Sequence, residues 1–148
     1  MTANQTSLEQ EAQALQAYMN EYSQQYEIMT QQMRFVETAK AEASASIETI
    51  QAISSAGGAV ETLLALGGGV SVRAKIADVK NILVGIGADV TVEKSAEDTI
   101  EFLKNRITEM DASSKRLAES LGKLNEQISS IQKRMQEISQ IYAAGQKQ

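Results

Sequence analysis

The side chains that most enzymes use for nucleophilic attack, soft-metal binding and proton transfer near neutral pH are missing, because the 148 residues include no cysteine and no histidine. Without a thiolate or an imidazole there is no disulfide, no Cys or His metal site and no Cys–His or Ser–His relay. What remains is glycine loops and paired carboxylates. Gly67-Gly68-Gly69 has the composition of a phosphate cradle, but a P-loop needs Gly-Lys-Ser/Thr opening a helix. Here Val70-Ser71-Val72 opens an alternating strand instead, and Gly85-x-Gly87 fails for the same reason. Glu97/Asp98 stands on a helical stretch with no pocket around it and reads as a solvated face. No catalytic residue, metal ligand or cofactor is expected. The net charge of −5, with interspersed signs, lacks the clustered Lys and Arg of a nucleic-acid surface. The opening MTANQTSLEQE has neither half of a secretory signal, and no apolar run approaches the roughly 20 residues of a membrane span. No membrane partner is expected, and the cytoplasm is the expected location.

The chemistry left to this chain is apolar contact, so the elements that position apolar residues carry the argument. Between Gly57 and Lys94 lie seven of the nine glycines, with Val, Ile and Leu in period-two alternation. Val70, Val72, Ala74 and Ile76 point one way while Ser71, Arg73 and Lys75 point the other, and Ile82, Val84, Ile86, Val90 and Val92 repeat the pattern. Gly67-Gly68-Gly69 separates a run from Val60 to Leu66 from the second run, and Gly87-Ala88-Asp89 separates the third from the fourth. Two successive β-hairpins are predicted over residues 57–94, with Asp78 in the connection between them.

On both sides the period changes to seven. Leu8, Leu15, Tyr22, Met29, Val36, Ala43 and Ile50 form one series, and Ala12, Met19, Tyr26, Met33, Lys40 and Ile47 form a second, in steps of four and three. After the insert, Ser95 and Asp98 make a Ser-x-x-Asp capping box. Leu103, Met110, Leu117, Leu124, Ile131 and Ile138 then alternate with Ile100, Ile107, Ser114, Leu121, Ile128, Met135 and Tyr142. With no proline to break them, helices over 5–55 and 95–143 are predicted, each about 70 Å long. Equal lengths invite antiparallel pairing, with Leu8 opposite Tyr142, Leu15 opposite Met135, Tyr26 opposite Leu124 and Ile50 opposite Ile100. That register puts Lys40 against Met110 and Val36 against Ser114, with the lysine ammonium free to reach Asp111. Lys40 reads either as a tolerated flaw or as a residue specifying register, and Gly122 either as a tolerated residue or as a bending point.

The fold class is therefore α+β: a long antiparallel two-helix coiled coil joined by two central hairpins. Isolated hairpins are marginal and open strand edges are templates for pairing, so other subunits are expected to complete the insert as a larger closed sheet, a β platform. LLALGGGVSVRAKI leading into NILVGIGADVTVEKSAEDTIEFLKNRI resembles the alpha-class subunits of the prefoldin family, most like the archaeal form, over essentially the whole chain. The resemblance implies an ATP-independent holdase of two alpha and four beta subunits, in which the hairpins complete an oligomeric β-barrel platform. It also implies that the arm ends hold non-native polypeptide and pass it to a group II chaperonin. A structural or tethering coiled coil with a fixed partner is the competing reading.

The expected oligomerisation residues are Val70, Val72, Ile82, Val84, Ile86, Val90 and Val92. The expected client-binding residues, at the end where the stripes stop, are Leu8, Ala12, Leu15, Tyr18, Met135, Ile138, Ile141 and Tyr142. Among these, Tyr18 and Ile141 fall beside the seam, where a coiled coil normally places charge. The alternative is that this set merely finishes the coiled coil.

Overall fold

The computed structural model describes residues 3–145, with side chains from Thr6 onward. The order is α1 (Ala3–Ser55), β1 (Val60–Gly67), β2 (Val70–Ile76), β3 (Ile82–Gly87), β4 (Val90–Lys94) and α2 (Ala96–Gly145). Two compact units result: a helical one, up to Val36 and again from Ala112, and one over Glu37–Asp111 that holds both hairpins.

In the helical unit the seven-residue repeat does what its spacing dictates. Leu8, Leu15, Met19, Tyr22, Met29, Met33 and Val36 of α1 are half-buried, as are Leu117, Leu121, Ile128 and Ile131 of α2, while Leu124 and Ile138 are buried. Tyr26 departs from its series and stays largely exposed. Ser114, the polar residue of the α2 seam, donates its hydroxyl to the Met33 sulfur at 3.2 Å. A thioether is a weak acceptor, but it gives the hydroxyl a partner inside an apolar seam. Gly122 lies within an unbroken α2 and its surroundings are open.

In the second unit, β1 pairs antiparallel with β2 and β3 with β4, as two separate two-stranded sheets. Each ladder shifts register one step before its turn, which leaves Leu66 and Ile86 as the unmatched residues. Gly68 and Gly69 turn the first hairpin with φ of +59° and +79°, the double left-handed conformation that suits a two-residue loop. The second hairpin makes the same turn with Ala88 and Asp89, at φ of +49° and +58°. Aspartate tolerates that region; alanine there costs about 1 kcal/mol. Between the hairpins the Lys80 amide donates to the Asp78 side chain at 3.0 Å, an Asx turn. At the start of α2 the Asp98 amide donates to Ser95 Oγ at 3.1 Å, which is the predicted cap. Buried Thr99 donates its hydroxyl to the Ser95 carbonyl at 2.7 Å.

Lys40 reaches across to Asp111, with Nζ 2.6 Å from Oδ1, and also lies 3.5 Å from Glu37. In the helical unit Arg134 grips Glu11 through two hydrogen bonds of 2.6 and 3.0 Å. The hydrogen bond from Arg134 holds the Glu11 carboxyl below the usual carboxylate range. Both pairs exist in one alignment only. A slip of one heptad sets Lys40 against Lys104 or Ala118 and Glu11 against Gln127 or Ile141, so neither direction of slip recovers a partner. This favours the register-specifying reading of Lys40 over the tolerated one.

Two outcomes follow from this packing. Lys40→Met, which keeps the stem and removes the charge, is expected to melt no lower than the native chain, whereas Asp111→Ala, which leaves the ammonium at the seam with Glu37 as its remaining partner, melts slightly lower. The reverse order in thermal denaturation would refute the assignment. Ala88→Gly is expected to stabilise the subunit by about 1 kcal/mol in chemical denaturation.

Candidate functional site

Residues paired across a hairpin share a face. On the first hairpin Val60 pairs with Ile76, Thr62 with Ala74 and Leu64 with Val72, which builds one apolar face that Val70 extends. The reverse face carries Glu61 with Lys75, Leu63 with Arg73 and Ala65 with Ser71. From Glu61 to Arg73 every side chain is exposed, including Leu63, Leu64, Leu66, Val70 and Val72. On the second hairpin Ile82, Val84 and Val92 turn toward the base of the helices. Val84 is only 6% exposed and Ile82 and Val92 are half-buried, and Lys94 Nζ sits 5.8 Å from the centre of the Phe102 ring. A groove lined by Thr49, Ile50, Ile82, Val84, Phe102 and Leu103 follows this contact. Ile86 and Val90 stay exposed.

The two hairpins are therefore not equivalent. The second is anchored on its own subunit, and Val84 in particular is spent on the subunit's own packing. The first presents apolar side chains on both faces with no described neighbour covering them. Leu63, Leu64 and Leu66 belong to this exposed set, and Leu83 on the second hairpin is exposed too, although sequence alternation did not single them out. The signal was present: adjacent Leu63 and Leu64 must point to opposite faces of a strand, so one of them is left outside whichever face is covered.

At the end of the helical unit, Tyr18 and Ile141 are 52% and 49% exposed. The Tyr18 and Tyr22 rings stack at 6.3 Å between centroids. Leu8, Ala12, Leu15, Met135 and Tyr142 are half-buried in the seam, and burial, assisted by Glu9, holds the Tyr142 phenol above its ordinary range. Ile138, at 3% exposure, is buried; it closes the seam and offers no surface. Sequence reasoning also passed over Ile28 and Phe35, which are 56% and 76% exposed, one heptad apart on α1.

Among the described residues no group of three or more acidic side chains is placed to hold a metal ion, and no helix is long and apolar enough to cross a membrane. Solvent-exposed aliphatic surface beside the open edges of a two-stranded hairpin is a common mark of an interaction surface. Val84→Asp is expected to cost the subunit several kcal/mol, because it buries a carboxylate without a partner. Leu64→Asp, on an exposed face, should shift stability by less than about 0.5 kcal/mol. Equal losses in denaturant melts would contradict the difference in burial.

The family model for prefoldin, described as prefoldin subunit, matches residues 22–141. A prefoldin subunit alpha of Methanocorpusculum labreanum is 62% identical over 135 residues, covering 91% of this chain and 92% of that protein. One from Methanoculleus marisnigri is 45% identical over 127 residues, covering 85% and 84%. A chain from the cryo-EM structure of filamentous PFD of Methanocaldococcus jannaschii superposes with a TM-score of 0.67 over 78% of this chain and 96% of that one, at 16% identity. That likeness extends the agreement to the fold, two helices flanking two hairpins. Prefoldin is a chaperone family, not an enzyme family. With hairpins, seam and both relatives in agreement, the chain belongs to the prefoldin family, in its alpha-subunit class.

Proposed function

We propose that the chain is the alpha subunit of an ATP-independent holdase that captures non-native polypeptides with the ends of its coiled coils and delivers them to a group II chaperonin. The family supports a chaperone-type role. The finer reading rests on one observation: Tyr18 and Ile141, an aromatic and a branched aliphatic side chain, are held half in water beside the terminal part of the seam. Such side chains bind by burying area without reading a pattern, which suits partners of unrelated sequence. Leu8, Ala12, Leu15, Met135 and Tyr142 add edges of apolar surface, and Met135 adds an adaptable one. Ile138 supports the patch from beneath.

Assembly in this reading joins two copies with four beta-class prefoldin subunits in the cytoplasm, through hairpins closed into a larger sheet. The exposed apolar face of the first hairpin, with Val70 and Val72, and the exposed Ile86 and Val90 of the second supply the contact. Ile82, Val84 and Val92 hold the second hairpin in place for it. One arm end binds weakly, and several acting together raise the effective concentration of contacts, so no nucleotide is needed to hold a client.

Removal of residues 1–15 together with 136–148 tests the reading. The hairpins are untouched, so native mass of the complex with a beta-class partner should persist while suppression of aggregation of a chemically unfolded client, without ATP, falls at least severalfold. Full protection by the trimmed complex would place capture elsewhere. An intact native complex with no protection at any concentration would leave the tethering role.

A further inference from the structure

The helical unit is sided. Its large exposed hydrophobic residues among those described are Tyr18, Tyr26, Ile28, Phe35 and Ile141. Tyr26 belongs to the seam. The other four all lie on one flank, in the two heptad columns next to each other on the same side of that seam. Two grooves confirm the side from the α2 direction: one is lined by Tyr18, Tyr22, Gln127, Ser130 and Ile131, the other by Ile28, Gln32, Phe35, Val36, Ser113 and Leu117. The opposite flank, with Gln16, Ser23, Thr30, Asn125 and Gln132, carries no large apolar side chain.

The first column of the apolar flank is also uncharged beyond the Glu11–Arg134 pair. Tyr18, Gln25 and Gln32 on α1 face Gln127, Ser120 and Ser113 on α2. Charge returns only at the outer rim, as Glu21 on α1 and Arg116, Lys123 and Glu137 on α2. Side-chain amides and hydroxyls both donate and accept. A row of them beside spaced apolar groups can satisfy the backbone of an extended strand in any register.

From Tyr18 to Phe35 the helix rises about 25 Å, the length of an extended segment of seven or eight residues at about 3.3 Å each. We propose that this flank is a lateral binding strip for an extended, apolar-rich segment of non-native polypeptide, continuing from the end patch past Ile28 to Phe35. The strip rests on the holdase reading and deepens it. A second folded arm is a poor occupant, because a stable protein interface needs about 800 Å² per partner with a packed core. Four separated side chains among amides do not make such a core. They do fit a chain that contacts several weak positions at once, where the loss of any one is tolerated.

The test uses the complete complex with its beta-class partner, and fluorescein-labelled, reduced and carboxymethylated α-lactalbumin as the probe, a chain that stays unfolded. Ile28→Gln combined with Phe35→Gln changes two exposed side chains and leaves the end patch intact. The expected result is unchanged native mass and melting, with Kd for the probe raised about five- to tenfold, the effect of losing one to one and a half kcal/mol of contact. A photo-crosslinking residue at Phe35 should label the probe, and one at Ser23 on the polar flank should not. Unchanged affinity of the double variant, or equal labelling from both positions, overturns the strip while leaving capture at the arm ends intact. Crosslinks from position 35 to another subunit in place of the probe also overturn it, in favour of contact between arms. A native complex with no measurable affinity for the probe removes the holdase reading, and the strip with it.

Discussion

A chain whose apolar residues are strung along two helices and two ribbons has no centre in which to bury them all, and the rest of the structure follows from how it shares that burden. The helices bury a seam one or two side chains wide against each other, which suffices for Leu124 and Ile138 but leaves most seam residues half in water. The second hairpin recruits the base of the helices for Val84. Nothing is left for the first hairpin or for the flank at Ile28 and Phe35. Exposed apolar surface is therefore a direct consequence of the architecture, and it is the surface on which the proposed function draws.

Most of the fold was legible in the sequence because its two periods are unusually pure. Alternation of two gave the strands, and the step of seven gave the helices across more than forty residues each, with no proline or histidine to complicate either. The Ser95 cap and the reach of Lys40 to Asp111 were legible for the same reason: in a helix, spacing alone decides which side chains meet. The candidate site was harder. Periodicity says which residues share a face but not which face finds a cover, so Val84 and Val72 looked alike although one is buried and the other is not. Ile138 and Ile141, three residues apart, differ from 3% to 49% exposure because one enters the seam and the other stands beside it. Phe35 was missed because attention to the repeating columns discounts a large apolar residue outside them.

The polar exceptions in the seam show how little is needed to fix alignment. A repeat of seven matches itself at every seventh residue, so apolar contacts alone leave slipped alignments close in energy. Lys40 with Asp111 in the seam and Arg134 with Glu11 beside it break that degeneracy. The two ion pairs are partly exposed and add little to stability. Their value lies in what they forbid.

The bond between Arg134 and Glu11 joins residues 123 positions apart. On a ribosome, where synthesis runs from Glu11 to Arg134, the apolar stripe of the first helix emerges long before the stripe that covers it exists. Residues near Glu11 must wait until Arg134 has been made, while the first hairpin, closed by Gly68 and Gly69 between strands already in hand, can form within microseconds of leaving the exit tunnel. Between those two moments the nascent subunit is itself an exposed apolar chain, and the pairing of its helices is a closure between distant parts of the sequence, the kind that forms slowly.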